Sequence, residues 1–504
     1  MPVIARVLPW TVALIAALML SPAADASPRV TTSSRPLISD NITPVFAVPG
    51  VHPIGARIRG NYMYVTGPDG LTIYNISNPE MPLPTGVLPL PHFENEDVDL
   101  GGDTLLISND PSEGLGVLYV IDISNPSAPT LVSATPNGYV DFCQGCFGIG
   151  AEEAVPPGTG HTASCIPGPQ GACQYAYLAG TGQGIAIVDL TDRSKPFVAK
   201  TFKPDITGAA THDVQIDGAG LAWIVGYEGS AAYDISDPLN PRQVMRTDTN
   251  VKNTGVIQPG VVPPSANPND DKVISDPVFG ITVGGKGDTP IDFIHHDSLR
   301  FGKLPKKGAS QRTYPAGGKG AVVGIVEEDY ARPTCEGAGS FQTWKIGSDN
   351  VLRLQDMWGT EIEALSSGTG FAPATGLCSA HYFDQNNGLV ANAWYEEGTR
   401  FLDVSDPTHI KQVGYWIPAK GETWSALFAP NDPSGQTVYA LDFVRGIEVL
   451  HIDRSSLKKT SAPVRRSWLV KKKAKSSRVS LSHFSKSSRY GYICRIATRL
   501  ALTR

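Results

Sequence analysis

The sequence predicts an all-β fold, a seven-bladed β-propeller that an N-terminal strand closes. The first sign is composition: 52 glycines and 41 prolines stand among 504 residues, a share of about 18% where roughly 12% is usual. These residues interrupt helices, so the composition argues against helical bundles and coiled coils and favours short strands joined by turns. The other signs are a recurring strand phrase and the complementary patterns of the two chain ends.

One phrase recurs as an alternating apolar strand that ends in Asp or Asn, followed by a turn that contains Pro. Its copies are LTIYNISNP, LYVIDISNP, IAIVDLTDRSKP, SAAYDISDP and TRFLDVSDP, at 71–79, 118–126, 185–196, 230–238 and 399–407. The first four copies are spaced by 47, 67 and 45 residues. A period of about 40 to 50 residues, with four strands in each unit, is typical of propellers. We expect the aspartates that end these strands to cap the turns; they are Asp122, Asp189, Asp234 and Asp403.

Seven units result when two further strands are placed ahead of each phrase, although six or eight blades are alternatives. The units begin near Ile54, Glu96, His161, His212, His296, His381 and Trp424. The last unit has three strands, WSALF, TVYALDF and GIEVLHI, and lacks a fourth. The segment TPVFAVPG at 43–50 has the pattern of a fourth strand. We therefore expect it to pair with GIEVLHI and to close the ring, because closure leaves no open sheet edge.

The strands IAIVD, YVIDIS and FLDVS give the chain its resemblance to a known family. Over roughly residues 43–452 it resembles the LVIVD-repeat proteins, which are exported and propeller-like. The stretch TWKIGSDN at 343–350 departs from this pattern because it lacks the Asp-x-Ser-x-Pro turn. The resemblance implies the fold and says little about chemistry, because most members lack an assigned reaction and one propeller fold hosts many functions.

The N-terminus has the organisation of a cleaved signal peptide. Arg6 precedes an apolar run from Val7 to Leu20, and Ala24-Asp25-Ala26 supplies the small residues that signal peptidase accepts. The run is too short to cross a membrane core of about 30 Å as a helix; an uncleaved anchor is the alternative. We expect an exported protein, periplasmic, at the cell surface or extracellular. Its parts are a signal peptide, a linker, the propeller and a basic tail, at 1–26, 27–42, 43–453 and 454–504.

The cysteines suit an oxidising compartment, because the body holds an even number of them. Short separations suggest the pairs Cys143 with Cys146 and Cys165 with Cys173, which leaves Cys335 for Cys378; six cysteines allow 15 pairings. The alternative for Cys143 and Cys146 is a redox motif or half of a zinc site. Their surroundings are loop-like and no second CxxC follows, so we favour structural disulfides. The seventh cysteine, Cys494, lies in the tail.

Charge is divided sharply between body and tail. From Arg454 onwards there are 15 Lys and Arg and no Asp or Glu, so the preceding residues hold 27 basic and 48 acidic side chains, a net charge of -21. The tail is rich in Ser, Lys and Arg, which predicts disorder. It could bind an anionic polymer or a membrane surface through counterion release, or have no dedicated partner. Nothing indicates specific nucleic-acid recognition, and we expect a monomer.

Histidines recur at one position of the repeat, the start of the first strand of a unit. They are His161, His212, His295, His296 and His381, and unit two has Glu96 at this position. First strands are innermost in a propeller, so their starts should form a ring at one mouth of the channel. The second strands return to the same face, where they end at Glu228, Glu327 and Glu396. We predict that these side chains converge on one site.

The recurrence of these residues has two interpretations besides coincidence. Imidazole and carboxylate groups are suitable ligands of Zn, Cu, Fe or Mn, and Cu or Zn is the cofactor that we consider. Alternatively, each ring is a structural pin that hydrogen-bonds the backbone of the neighbouring blade. No ligand spacing such as HExxH decides between them.

The sequence leads to one main functional hypothesis and two alternatives. The main one is an exported propeller that acts as a binding module, with an unidentified ligand or a metal at the mouth. The first alternative is a metal-dependent oxidoreductase that uses the same mouth, with copper as a candidate metal; the analogy with copper-bearing propellers rests on fold alone. The second is a structural or adhesive surface protein.

Overall fold

The computed structural model describes residues 36–90, 97–108, 118–134, 160–180, 184–204, 211–226, 229–248, 274–276, 281–283, 294–302, 317–328, 339–360 and 379–457. The chain divides into two compact units, 1–458 and 459–504, and all described residues belong to the first. None of the helices in this described part is long and apolar enough to cross a membrane. The predicted signal peptide and most of the basic tail lie outside the described residues.

The strands follow the chain in groups of four. Two strands precede the first group, β1 (Leu37–Ile38) and β2 (Ile42–Val48). Blade 1 contains β3 (Ala56–Arg59), β4 (Tyr62–Gly67), β5 (Gly70–Asn75) and β6 (Leu83–Pro89). Blade 2 contains β7 (Val98–Gly101), β8 (Thr104–Ser108), β9 (Leu118–Asp122) and β10 (Thr130–Ala134). Blade 3 contains β11 (Thr162–Pro167), β12 (Cys173–Ala179), β13 (Ile185–Asp189) and β14 (Phe197–Phe202). Blade 4 contains β15 (Thr211–Ile216), β16 (Leu221–Gly226), β17 (Gly229–Asp234) and β18 (Arg242–Thr247).

The second half of the chain continues this order. A separate hairpin consists of β19 (Ile274–Asp276) and β20 (Ile281–Val283). Blade 5 contains β21 (Ile294–Arg300), β22 (Val322–Glu328), β23 (Ser340–Ile346) and β24 (Val351–Trp358). Blade 6 contains β25 (Phe383–Asn386), β26 (Leu389–Ala393), β27 (Thr399–Asp403) and β28 (Lys411–Ile417). Blade 7 contains β29 (Thr423–Phe428), β30 (Thr437–Asp442) and β31 (Gly446–Ile452), and the helix α1 (Arg454–Leu457) follows.

Within each blade the four strands form an antiparallel sheet in chain order, with the first strand innermost. The first strands of neighbouring blades contact each other, as β7 does with β11 and β11 with β15. First and second strands are almost entirely buried, whereas the fourth strands carry exposed side chains, as in β6 and β14. This is the architecture of a β-propeller, so the predicted fold class is confirmed. The described residues form seven blades; the blade count of the whole chain stays a prediction.

Hydrophobic clusters hold the blades together around the ring. Among the described residues, seven large clusters each combine side chains of two consecutive blades. One of them joins Ile58 and Met63 of blade 1 to Tyr439 and Val449 of blade 7. The last blade therefore packs on the first as the others pack on their neighbours, and the ring is closed.

The N-terminal strand β2 completes blade 7 as predicted. It pairs antiparallel with β31, with Thr43 opposite His451 and Val48 opposite Ile447. The backbone amide of Asp453 also donates to the carbonyl of Asn41 at 2.8 Å. The first and last strands of the propeller therefore share one sheet, and β31 has no free edge.

Two further strand pairs were not predicted. The strand β1 adds to β28 at the outer edge of blade 6, with Leu37 opposite Ile417. The outer strands β18 and β24 pair in parallel and join blades 4 and 5 into one eight-stranded sheet. Because of β1 and of α1, where Arg454 donates to the carbonyl of Asn386 at 2.9 Å, the ordered fold extends beyond 43–453 at both ends. The strand β1 lies within the range predicted as a linker, 27–42, of which 27–35 lie outside the described residues.

Asx turns end the third strands, as predicted. The side-chain oxygen of Asp122 accepts the amide of Ser124 at 2.9 Å, and Asp403 accepts Ser405 at 3.0 Å. Asn75, Asp189 and Asp234 make the same bond two residues ahead. The hydroxyl of Ser124 and then its amide lower the pKa of the Asp122 carboxyl, and the amide of Ser236 lowers the pKa of Asp234. The recurring Asp is therefore a turn cap.

One predicted disulfide lies within the described residues. Cys165 in β11 and Cys173 in β12 are bonded across a hairpin, with their Cα atoms 5.2 Å apart. Cys143, Cys146, Cys335 and Cys378 lie outside the described residues, so their pairing stays a prediction.

Candidate functional site

The first strands of several blades begin with a β-bulge, and the bulged residues are those that the sequence analysis selected. The pairing register shifts between Thr211 and Asp213 in β15 and between His295 and Asp297 in β21. In blade 6 the carbonyl of Ala393 accepts a hydrogen bond from the amide of His381, while the amide of Ala393 donates to the carbonyl of Tyr382, the residue after His381. A bulge adds one residue against the partner strand and re-aims its side chain. We call the end of the ring where these bulges lie the mouth.

Four histidines form a continuous row at the mouth, which we call the imidazole row: His161, His212, His296 and His381. Their ring centroids follow one another at 4.7, 4.3 and 4.0 Å. All four are buried. Each comes from a different blade, from 3 to 6, so residues at the same repeat position lie next to one another along the row.

Two of these histidines and one glutamate lie close enough together that they could hold a metal ion, and we call them the His/Glu cluster: His212, His296 and Glu328. One ligand atom of each lies within 4.8 Å of the other two. The Nε2 atom of His296 is 3.9 Å from Oε2 of Glu328. All three residues are buried. Their ligand atoms are therefore out of bulk water, and a shared cation would compensate the buried carboxylate.

The glutamate of this cluster is Glu328, whereas the sequence analysis selected its neighbour Glu327. Glu327 instead accepts a hydrogen bond from the hydroxyl of Ser340 at 2.7 Å. Glu328 accepts one from the hydroxyl of Tyr395 at 2.6 Å. Successive strand residues point to opposite faces, so only one of the two can join His296. The sequence does not give the phase of the strand end, and therefore could not choose between them.

The other histidines have structural bonds. Nδ1 of His381 lies 2.6 Å from the carbonyl oxygen of Trp424, which only accepts, so Nδ1 carries the proton. Nδ1 of His295 lies 2.8 Å from the hydroxyl of Ser230, and its ring packs edge-on against Trp344. His381 therefore bonds the backbone of the neighbouring blade 7, as the alternative interpretation has it, whereas His295 bonds a side chain of blade 4. Of the remaining candidates, Glu96 and Glu228 lie outside the described residues.

Next to His381, the row is continued by aromatic and acidic side chains that the sequence analysis did not select for the site. The ring of Trp424 lies 5.0 Å from His381 and 5.3 Å from Tyr395. Phe443 and His52 continue the contact series. The indole nitrogen of Trp424 donates to Glu422 at 2.9 Å. Trp424 lies at a bulge between Thr423 and Ser425 and starts its unit as the histidines start theirs, so the repeat position could have identified it.

Two carboxyl groups beneath Trp424 hold their protons unusually tightly; we call Glu422 and Asp442 the acidic pair. Burial, together with the charges of Asp442 and the buried Glu396, raises the pKa of Glu422 to about 7, although the bond from Trp424 lowers it. Burial also raises the pKa of Asp442 to about 6, although the amides of Glu422 and Arg445 stabilise its charged form. The predicted candidate Glu396 thus lies with the acidic pair.

The acidic pair predicts a pH-dependent stability. A carboxyl whose pKa is higher in the folded than in the unfolded protein contributes stability. This contribution is complete when the pH is below the pKa of the unfolded state, and it is lost as the pH rises through the pKa of the folded state. For Glu422, this loss of stability extends over the pH range between its two pKa values, 4.5 and about 7. We expect Glu422→Gln to raise the melting temperature relative to wild type by a few degrees more at pH 8 than at pH 5. Differential scanning calorimetry at both values measures this difference.

The control is an exposed aspartate whose pKa moves in the opposite direction. The pKa of Asp349 is lowered by its hydrogen bonds with Arg353, so Asp349→Asn should show the same difference from wild type at pH 5 and pH 8. A Glu422→Gln difference that is equal at both values would contradict the raised pKa.

Below the mouth, a buried arginine connects the first strands of separate blades. Arg57 of β3 donates through its guanidinium to Asp97 at 3.2 Å and to the side-chain oxygen of Gln215 in β15 at 3.3 Å. It also pairs with Asp99 of β7 at 3.4 Å. These bonds cross the centre of the ring from blade 1 to blade 4.

Comparison with known proteins agrees with this architecture. The LVIVD repeat model matches residues 56–85, 114–135 and 173–203, so the resemblance to the LVIVD-repeat family is confirmed at three stretches. The chain is a β-propeller with LVIVD repeats. No curated protein matches it.

Several solved structures are also similar to this chain. The β-propeller domain of Cps50 (Swd1) from Myceliophteria thermophila is 10% identical, with 82% of this chain and 100% of that chain covered and a TM-score of 0.47. The RRP9 WD40 repeats are 9% identical, with 83% and 98% covered and a TM-score of 0.42. A chain of the COPII outer coat vertex on membranes is 11% identical, with 80% and 84% covered and a TM-score of 0.46.

Proposed function

We propose that this protein is an exported propeller that acts as a binding module, with a divalent transition metal bound at its mouth by His212, His296 and Glu328. The observation that carries the proposal is the approach of three ligand atoms, from two blades, within 4.8 Å of one another in a buried place. The sequence organisation of residues 1–26 supports export.

The donor set favours a transition metal over calcium or magnesium. Two imidazole nitrogens and one carboxylate suit Zn, Cu or Fe, whereas Ca²⁺ and Mg²⁺ require mostly oxygen ligands. Ligand atoms around a tetrahedral zinc ion are about 3.4 Å apart, given bonds of about 2.1 Å. The 3.9 Å between His296 and Glu328 therefore requires a small inward movement on binding.

Metal content of purified variants tests the proposal. The full chain, without a polyhistidine tag, is stripped with chelator, reconstituted with zinc and dialysed before elemental analysis. Wild type should retain one zinc per chain. His212→Ala, His296→Ala and Glu328→Gln should each weaken binding by more than about 100-fold, because the loss of partners outside the ligand shell alone costs 10- to 100-fold.

Two matched variants control this experiment. Glu327→Gln changes the adjacent carboxylate, whose bond with Ser340 an amide can keep, and His409→Ala removes an exposed histidine from an outer turn. Both should retain zinc as wild type does. A wild-type protein that stays metal-free after reconstitution with Zn, Cu, Mn and Fe would remove the metal and leave a binding module with an unidentified ligand at its mouth.

A second candidate function is a metal-dependent oxidoreductase that uses the same cluster. Three protein ligands are typical of catalytic sites, which keep a coordination position open for substrate. Redox cycling of the copper-loaded protein that Glu328→Gln abolishes would favour this candidate. A metal that is bound but inert toward reductants and oxygen would favour the binding module.

A further inference from the structure

The two oxygens of the Glu328 carboxylate have different neighbours. Oε1 accepts the hydroxyl of Tyr395 at 2.6 Å, a short bond as expected for a charged acceptor. Oε2 is the oxygen that lies 3.9 Å from Nε2 of His296. Both residues of the hydrogen bond are buried. The carboxylate is therefore oriented from one side, with its other oxygen directed at the histidine.

Tyr395 is itself held in an unusual backbone conformation. It has a φ of 35°, in the left-handed region that bulky residues rarely adopt. Backbone bonds on both sides fix it: the amide of Glu397 donates to Trp394 at 2.7 Å, and Tyr395 accepts the amide of Thr423 at 2.8 Å. Its ring also packs against His381, with centroids 4.8 Å apart. Strain of this kind persists only where the surrounding structure enforces it, and it concentrates at functional sites.

The turn around Tyr395 is anchored by a buried ion pair. The guanidinium of Arg400 bonds the carboxylate of Glu397 at 2.9 Å and its carbonyl at 3.1 Å. Both side chains are fully buried. The hydroxyl of Tyr395 is thus carried on a rigid segment of blade 6 and reaches the carboxylate of blade 5.

We propose that Tyr395 is a positioning residue of the metal site, which rests on the function proposed above: it occupies Oε1 of Glu328 so that only Oε2 coordinates the metal. A carboxylate that coordinates through only one oxygen keeps the coordination number of the metal low, and zinc is usually four-coordinate. Calcium prefers six to eight oxygens and often takes both oxygens of a carboxylate. Tyr395 therefore selects a transition metal over calcium.

Replacement of the tyrosine by phenylalanine tests this role because the ring contacts remain and only the hydroxyl is lost. In the full-length protein, Tyr395→Phe should bind zinc 10- to 100-fold more weakly than wild type, the usual effect of removing a partner of a ligand. The visible spectrum of bound Co²⁺ should lose intensity, because a second carboxylate oxygen that joins the metal raises the coordination number.

The matched control is Tyr177→Phe. The hydroxyl of Tyr177 donates to the carbonyl of Pro238 at 2.6 Å, the same length as the bond of Tyr395, between blades 3 and 4 and without a link to Glu328. It should leave zinc affinity and the Co²⁺ spectrum unchanged. Equal changes in both variants would show a general effect of hydroxyl loss and overturn the positioning role.

The remaining outcomes separate this inference from the proposed function. Tyr395→Phe with wild-type zinc affinity and spectrum would overturn the role of Tyr395 while the metal site stands. A wild-type protein that binds no zinc would overturn both. X-ray absorption of the zinc-loaded wild type needs no variant, so it applies even where Tyr395→Phe fails to fold. One carboxylate oxygen at bonding distance supports the inference, and two overturn it.

Discussion

Deletion of residues 36–50 should abolish the folded propeller. The deletion removes β2, whose Ile42 is almost fully buried in the cluster between blades 6 and 7, and it removes β1 from β28. The strand β31 would then expose the whole edge that β2 covers, and unpaired edges promote aggregation. We expect insoluble protein, or a melting temperature at least about 10 °C below wild type. Solubility and calorimetry of the purified chain measure the effect.

The control for this deletion is the opposite end of the chain. Deletion of 458–504 removes no described strand, so the melting temperature should stay within about 1 °C of wild type. A soluble chain without residues 36–50 that melts with wild type would show that the closing pair does not stabilise the ring.

Much of the fold could be predicted because its determinants are local in the sequence. The Asp that ends each third strand caps its own turn, two residues ahead, and it is therefore visible in each repeat, as at Asp122 and Asp234. Ring closure was also predictable, since the last unit lacks one strand and 43–50 has the pattern to supply it. The pairing of β18 with β24 was not, because it follows from the relative placement of two blades.

The site was predictable only to the level of the repeat position. Histidines that start first strands converge, so the imidazole row follows from period alone. Which carboxylate joins them depends on which residues of β22 point toward the histidines. In the structure this residue is Glu328 and not Glu327. The contribution of Tyr395 depends on a left-handed turn in another blade. No local pattern encodes such a contact, since the sequence does not show which way the hydroxyl of a turn residue points.

The second large effect should come from Arg57, and Arg57→Met should destabilise the propeller by about 3–5 kcal/mol. The side chain is 2% exposed, and its partners Asp97 and Asp99 are nearly as buried. The Asp99 carboxylate also accepts the amide of Cys165 in blade 3 at 2.9 Å. Methionine would keep most of the volume and remove the charge. Two buried carboxylates would then lose their countercharge, which costs more than the pair itself contributes.

Urea denaturation of the purified chain measures this effect, and two variants assign its cause. Arg353→Met breaks an exposed pair with Asp349 and should cost less than about 1 kcal/mol. Adding Asp97→Asn to Arg57→Met should recover part of the loss, because the amide removes one uncompensated charge while Asp99 remains. Arg57→Met within about 1 kcal/mol of wild type would contradict the argument. In that case the central strands of blades 1 to 4 would be held by their hydrophobic clusters alone, and the arginine that crosses the ring would be dispensable for its stability.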